Sequence, residues 1–318
     1  TVDGKLKGIV DEERIPTMDI KIRSNNASFK YPDLPKTVRN ITINADLMNE
    51  TGLLKDTYLN IGNLTFRIDE ELFAANGSIR NLTENALVNL ALKGTLNLAN
   101  IDQVLPVEME QPLRGVFKAD VTTNFDMASV ENEQYQNIKT NGTASLSDFT
   151  YTDPAFKNAI NIGNAAITMS PGTITLNEMT ATTGSTDVAA NGDIQNLIPW
   201  IMAKQDLKGT FNVTSNTFNL NDFMAEEAPA SGSKGNKSTA GIASTAKESF
   251  QIPDFLDATL NFDAKKVIYD DLTLDNAKGS VSIKNETASL NNVTSSLLGG
   301  NVALSGNVST KNNTPTFA

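Results

Sequence analysis

Along much of this chain apolar and polar residues alternate one by one. In "VNLALKGTLNL", Val88, Leu90, Leu92, Leu96 and Leu98 share one parity, while Asn89, Lys93, Thr95 and Asn97 take the other. This period of two predicts a strand with one apolar face. The same alternation runs through Ile41/Ile43/Ala45/Leu47, Leu64/Phe66/Ile68, Leu260/Phe262, Leu272/Leu274 and Val281/Ile283. A glycine inside a strand pattern signals a bulge or bend, so Gly94 and Gly209 are expected to curve their strands. Helical periods are few and short: "NIDQVLP" from Asn100, "LIPWIMAK" from Leu197 with Trp200, and "NDFMAEE" from Asn221. Asn100 and Asn221 are expected to act as N-caps.

The strands repeat. "LKGTLNL" (Leu92 to Leu98) returns as "LKGTFNV" (Leu207 to Val213), 115 residues later. Upstream of these, "NGSIRNL" and "NGDIQNL" place Gly77 and Gly192 at the same offset, and "SGNVSTKN" repeats the element at Gly306. "ASFKY", "SDFTY" and "KKVIY" end at Tyr31, Tyr151 and Tyr269. Anchors that recur in one order mark a repeat architecture. The expected units are residues 1–113, 114–224 and 252–318, with a polar linker at 225–251 that lacks alternation. By the spacing of the first two units, the third should reach its own L-K-G glycine at about residue 323. The sequence is therefore expected to be a piece of a longer protein, with any membrane anchor outside it.

Composition narrows the chemistry. The 318 residues carry a formal charge of −11, which argues against nucleic acid and against a polybasic membrane patch. With neither histidine nor cysteine, Ser-His-Asp and Cys-His catalysis and the ordinary zinc sites are excluded. Carboxylate clusters at Asp11/Glu12/Glu13, Asp69/Glu70/Glu71 and Asp270/Asp271 could hold calcium or act as acids, but solvated turns are the commoner reading. "GSKGNKS" follows no strand pattern and is not a phosphate loop. No metal, no cofactor and no enzymatic activity are expected. Sequons such as Asn40-Ile-Thr42 and Asn292-Val-Thr294 fall inside strand patterns, so no glycan is read from them.

The third unit resembles the C-terminal repeat of the AsmA family of bacterial envelope proteins. The resemblance rests on Val267, Tyr269, Leu272 and Leu274 as V-x-Y-x-x-L-x-L, then Gly279, Val281 and Ile283, then Leu297, Gly299, Gly300 and Gly306. Leu298 stands where the family often has an aromatic. The first two units are similar but weaker, and the Asn- and Thr-rich wording suggests a Bacteroidetes-type member. The resemblance implies a mainly β fold: an elongated, curved antiparallel sheet forming an open apolar groove, with a few short helices. It also implies a periplasmic location, a tether to the inner membrane outside this chain, and a role in passing phospholipid toward the outer membrane. Val88, Leu90, Leu92, Leu96, Leu98, Phe211, Val213, Leu260, Phe262, Val267, Tyr269, Leu272, Leu274, Val281 and Ile283 are the expected groove lining, with acyl chains as the partner. Three alternatives stay open: a closed sandwich without ligand, a structural or adhesive extracellular β-repeat protein, and a carbohydrate-active β-solenoid using carboxylates.

Overall fold

The computed structural model describes residues 1–11, 14–104, 113–152, 158–171, 173–203, 205–225, 249–250, 252–311 and 316–317. The chain is mainly β. Among the described residues it forms twenty strands, three α-helices and four short 3-10 turns, and 18 of the strands belong to one sheet.

Compactness divides the chain into two units. The first comprises Thr1–Tyr151, Asn161–Ala181 and Ala190–Gly209; the second comprises Thr152–Ile160, Thr182–Ala189 and Thr210–Ala318. The sequence repeats follow a different division: the expected boundary after residue 113 separates two strands, Leu87–Asn97 and Arg114–Asp126, that pair from Leu87↔Asp126 to Asn97↔Val116.

The first unit opens with an eight-strand antiparallel meander, each strand paired with the next: β1 (Val2–Lys7), β2 (Thr17–Phe29), β3 (Val38–Asn49), β4 (Tyr58–Ile68), β5 (Glu71–Arg80), β6 (Leu87–Asn97), β7 (Arg114–Asp126) and β8 (Lys139–Tyr151). Four strands are shared between the units: β9 (Ile160–Ser170), β10 (Thr173–Thr183), β11 (Thr186–Ile194) and β12 (Leu207–Ser215). The second unit adds β13 (Phe218–Asn219), which runs parallel to β16 (Leu256–Tyr269), and the antiparallel series β16, β17 (Leu272–Lys284), β18 (Thr287–Leu297), β19 (Gly300–Ser309) and β20 (Thr316–Phe317). A separate two-strand ladder joins β14 (Met224–Ala225) to β15 (Ser249–Phe250). Of the expected linker at 225–251, only Ala225, Ser249 and Phe250 lie among the described residues.

The helices are α1 (Ile101–Val104), α2 (Met127–Glu131) and α3 (Leu197–Ala203). The Leu197 period becomes α3 as expected. The expected caps shift by a few residues. Asn97, not Asn100, caps the 3-10 turn Leu98–Asn100, accepting from the Ala99 N–H at 3.1 Å. Asn219, not Asn221, does so for the turn Leu220–Phe223, accepting from the Asn221 N–H. In each case a strand-terminal Asn satisfies an orphan donor two residues on. Sequence reading missed α2, whose N-cap Asp126 accepts from both the amide and the hydroxyl of Ser129, at 2.9 and 2.6 Å.

Two glycines let the meander close up. Gly77 (φ 137°) and Gly142 (φ 126°) lie so near the next strand that an added Cβ would stand 2.0 Å from the carbonyl oxygen of Asn89 and of Asp120 respectively. Only a residue without a side chain fits there.

A half-buried apolar face as the candidate site

Register partners across a ladder point to the same side of a sheet. In the first unit they assemble the scattered alternations into continuous rows. One row is Ile20, Leu47, Leu59, Ile79, Val88 and Phe125; another is Ile43, Leu64, Ala75, Leu92 and Val121; a third is Leu96, Phe117 and Leu146. Phe66 and Phe73 face each other between these rows, with ring centroids 5.3 Å apart. A register shift between Ile61 and Leu64 brings odd-numbered Leu59 and Ile61 and even-numbered Leu64 and Phe66 to one side. A bulge inserts one residue and so reverses the parity.

The opposite side is polar. Lys93 and Asp120 are register partners at 2.5 Å, and in the second unit Lys278 and Asp263 are partners at 2.9 Å. Such exposed pairs contribute about 0–1 kcal/mol each, so they fix register more than they stabilise.

The apolar side is covered only in part. At one end α2 and α3 pack on it: Val88, Phe125, Val130 and Ile138 form a buried cluster, with Met127, Tyr135, Ile198 and Ala203 against it. A polar clasp fastens this cover. Lys208 Nζ donates to Glu133 at 2.6 Å and to the Tyr135 hydroxyl at 3.3 Å, and Gln205 bridges Tyr135 and the Val130 carbonyl. The Glu133 carboxylate, more than the opposing cost of burial, holds the Lys208 ammonium above its ordinary pKa. Leu90 is half-buried against this cluster, and beyond this end Leu47, Leu64, Leu92, Leu96, Phe117, Val121 and Leu146 are only half-buried.

The expected lining residues divide accordingly. Leu92 and Leu96 lie on the half-buried face, while Val88 is core beneath the helices and Leu90 packs against that core. Leu98 has left the strand and sits in the 3-10 turn. In the second unit Asn261 donates to Asn212 across the neighbouring strands β12 and β16 at 3.4 Å. That contact puts Phe211, Val213, Leu260 and Phe262 together on the other face, and Phe211 is buried there. Leu260 pairs with Val281, and Ile283 with Ala258, in the same run. Val267↔Leu274 and Tyr269↔Leu272 pair beyond Asn276, whose φ of 52° interrupts the strand, and an odd number of steps separates Phe262 from Val267. A strict period of two therefore does not carry the first set onto the second; Tyr269 and Leu272 are exposed.

Phe117, Val121 and Phe125 of β7 escaped sequence reading, although they keep one parity. Ala119 and Thr123 between them dilute the apolar row.

The carboxylate clusters sit in turns. Asp69, in the β4–β5 turn, accepts from Lys36 Nζ at 2.5 Å, and that hydrogen bond holds its pKa below the ordinary carboxylate value. Asp270, in the β16–β17 turn, donates its N–H to Asn221 at 3.0 Å. Glu12 and Glu13 lie outside the described residues. Among the described residues no group of three acidic side chains could hold a metal ion, and no helix is long and apolar enough to cross a membrane. Comparison with family models, curated proteins and solved structures finds no match to this chain.

Proposed function

We propose that the protein binds lipid acyl chains on the apolar face and transfers phospholipid between the inner and outer membranes of a Gram-negative envelope, working in the periplasm. The observation that carries this reading is the run of aliphatic and aromatic rows from β2 to β8 that stay only half-buried beyond the cluster under α2 and α3. An apolar patch of that extent is costly in water and marks a surface that meets an apolar partner. Acyl chains suit it chemically. Each buried CH₂ contributes about 0.8 kcal/mol and needs no particular partner, so chains could occupy any stretch of a repeated wall. The resemblance to the AsmA family, carried by Val267, Tyr269, Gly279, Gly299, Gly300 and Gly306, supports the same reading and supplies the periplasmic setting.

Native mass spectrometry of the purified protein, followed by extraction and identification of bound lipid, tests it. Co-purified phospholipid, or uptake of phospholipid from vesicles by delipidated protein, is the expected result. Protein that emerges lipid-free and takes up none from vesicles would overturn the reading in favour of a structural β-repeat protein.

A further inference from the structure

The turns at one end of the first unit are fastened to one another. Three of them lie side by side: residues 50–57 between β3 and β4, residues 81–86 between β5 and β6, and residues 127–138, with α2, between β7 and β8. The Leu82 N–H donates to the Thr57 carbonyl at 3.3 Å, and the Met127 N–H to the Ala86 carbonyl at 3.0 Å. The Asn85 carboxamide oxygen accepts from the Ala128 N–H at 2.8 Å. Gln205, just after α3, carries the series on by donating to the Val130 carbonyl. The turns form one braced strip along the strand ends.

The strip exposes large aliphatic side chains. Leu53 and Leu54 are exposed in the first turn and Leu82 in the second, with Leu87 at the start of β6. α3 packs Ile198 and Ala203 on the core but leaves Ile201 63% exposed. Aliphatic side chains held in water by a braced backbone mark an interaction surface.

Carboxylates stand among them. Glu50, Glu84, Glu131 and Glu133 are exposed, and Asp56 and Asp206 are half-buried. Among the described residues of the three turns and of 197–208, the basic side chains are Lys55 and Lys208, and Lys208 is paired with Glu133 at 2.6 Å. Arg80, at the end of β5, lies over the Tyr58 ring.

That charge selects the partner. A second copy of this chain, at a formal charge of −11, is repelled by the strip, and so is an anionic bilayer; a cationic surface with apolar side chains is attracted. Spacing selects its form. Successive turns are two strands apart, roughly 10 Å at about 4.8 Å per strand. An α-helix shows the same face again after seven residues, about 10.5 Å along its axis, whereas an extended segment does so at about 6.7 Å and about 13 Å.

We propose that this strip is a docking site for a basic amphipathic helix of a second protein, laid across the strand ends. Its heptads seat apolar residues against Leu54 and Leu82, and its basic residues meet Glu84 and Glu131. The site lies at the strand ends, not on the apolar face of the sheet, so it does not rest on the lipid reading.

The test uses the full chain and a synthetic peptide of three Leu-Lys-Lys-Leu-Leu-Lys-Leu heptads. Trp200, the one tryptophan of the sequence, adjoins Ile201 and reports binding through its emission. The peptide should bind saturably. A scrambled peptide of the same composition, and a counterpart with glutamate in place of lysine, should bind at least about tenfold more weakly. The double variants Leu54→Ser/Leu82→Ser and Glu84→Lys/Glu131→Lys should each weaken binding about tenfold while keeping wild-type circular dichroism. A polarity-sensitive dye attached at Thr83→Cys, in a chain with no cysteine of its own, should shift when peptide binds, and the same dye at Leu92→Cys should not. Equal binding of either control peptide, unchanged binding by either folded double variant, or a dye shift at 92 alone would each overturn the proposal. Binding to phosphatidylglycerol vesicles that Leu54→Ser/Leu82→Ser abolishes would overturn it in favour of a membrane contact.

Discussion

Leu92 of β6 lies directly opposite Val121 of β7, and both remain only half-buried, whereas Val88 and Phe125, four residues along the same two strands, are buried beneath α2 and α3. One face of one strand pair thus carries both a buried core and half-buried positions beyond it. A charge placed at each should separate them. Val88→Asp buries a carboxylate with no partner and is expected to cost several kcal/mol, enough to unfold a marginally stable domain. Leu92→Asp keeps its carboxylate in reach of water and should cost about 1 kcal/mol, the share of a leucine's transfer energy that half-burial provides. Phe211→Asp should behave as Val88→Asp, because Phe211 is 7% exposed. Urea-unfolding midpoints of the three variants decide it. Equal losses at Leu92 and Val88 would mean that the half-buried positions are core as well.

The close approach at Gly77 gives a second expectation. Gly77→Ala must either push the Asn89 carbonyl away or abandon φ 137°, and about 2 kcal/mol or more should be lost. Gly163 of β9 is the control: its nearest neighbour is the Thr180 hydroxyl at 3.2 Å, a side-chain atom that can turn aside. Gly163→Ala should shift the urea midpoint by the equivalent of less than about 1 kcal/mol.

How far the sequence disclosed all this follows from what each feature depends on. Strand identity and the one-sided face were legible, because alternation such as Leu90, Leu92, Leu96 needs only a local period. The repeat was legible at Gly77, Gly192 and Gly306, and eight residues before each, at Asp69, Gly184 and Leu298, the backbone takes the same left-handed conformation. The cover at one end was not. Val88 and Leu92 read alike in sequence, and what separates them is α2, a five-residue helix with too few turns to show a period. Bulges were equally hidden. At β4 an extra residue near Gly62 moves the apolar side from Leu59 and Ile61 to Leu64 and Phe66, and at β17 Asn276 breaks the count between Val281 and Leu274.

The cap of α2 makes stability depend on pH. Hydrogen bonds from the Ser129 hydroxyl and amide hold the Asp126 carboxyl below its ordinary value of 3.8. A carboxylate whose pKa is depressed by folding contributes stability above its unfolded pKa and loses it as pH falls through the folded value. Asp126→Ala should therefore cost about 1 kcal/mol at pH 7, as loss of an N-cap does. The gap between wild type and variant should close as pH drops below 3.8. Paired urea titrations at neutral and acidic pH measure it, and a gap that stays constant would assign the cost to packing.

The lipid reading makes the sharpest demand on neighbouring positions of opposite parity. Ala91 and Leu92 are consecutive in β6, so they point to opposite sides of the sheet, Ala91 with the polar ladder of Asn89 and Lys93, Leu92 with the apolar rows. Both are half-buried, so an aspartate at either site should disturb folding by a similar small amount. Lipid responds only to the face. A carboxylate at 92 would have to lose its water when an acyl chain lies over it, a cost of several kcal/mol against a gain of about 0.8 kcal/mol per methylene covered. Leu92→Asp should accordingly retain much less phospholipid than wild type after delipidation and incubation with phosphatidylethanolamine vesicles, and Ala91→Asp should retain as much. Phosphorus assay of the repurified protein, beside matched unfolding midpoints, reads the outcome. Equal retention by both variants would place the lipid elsewhere, and loss in Ala91→Asp alone would put it on the opposite face.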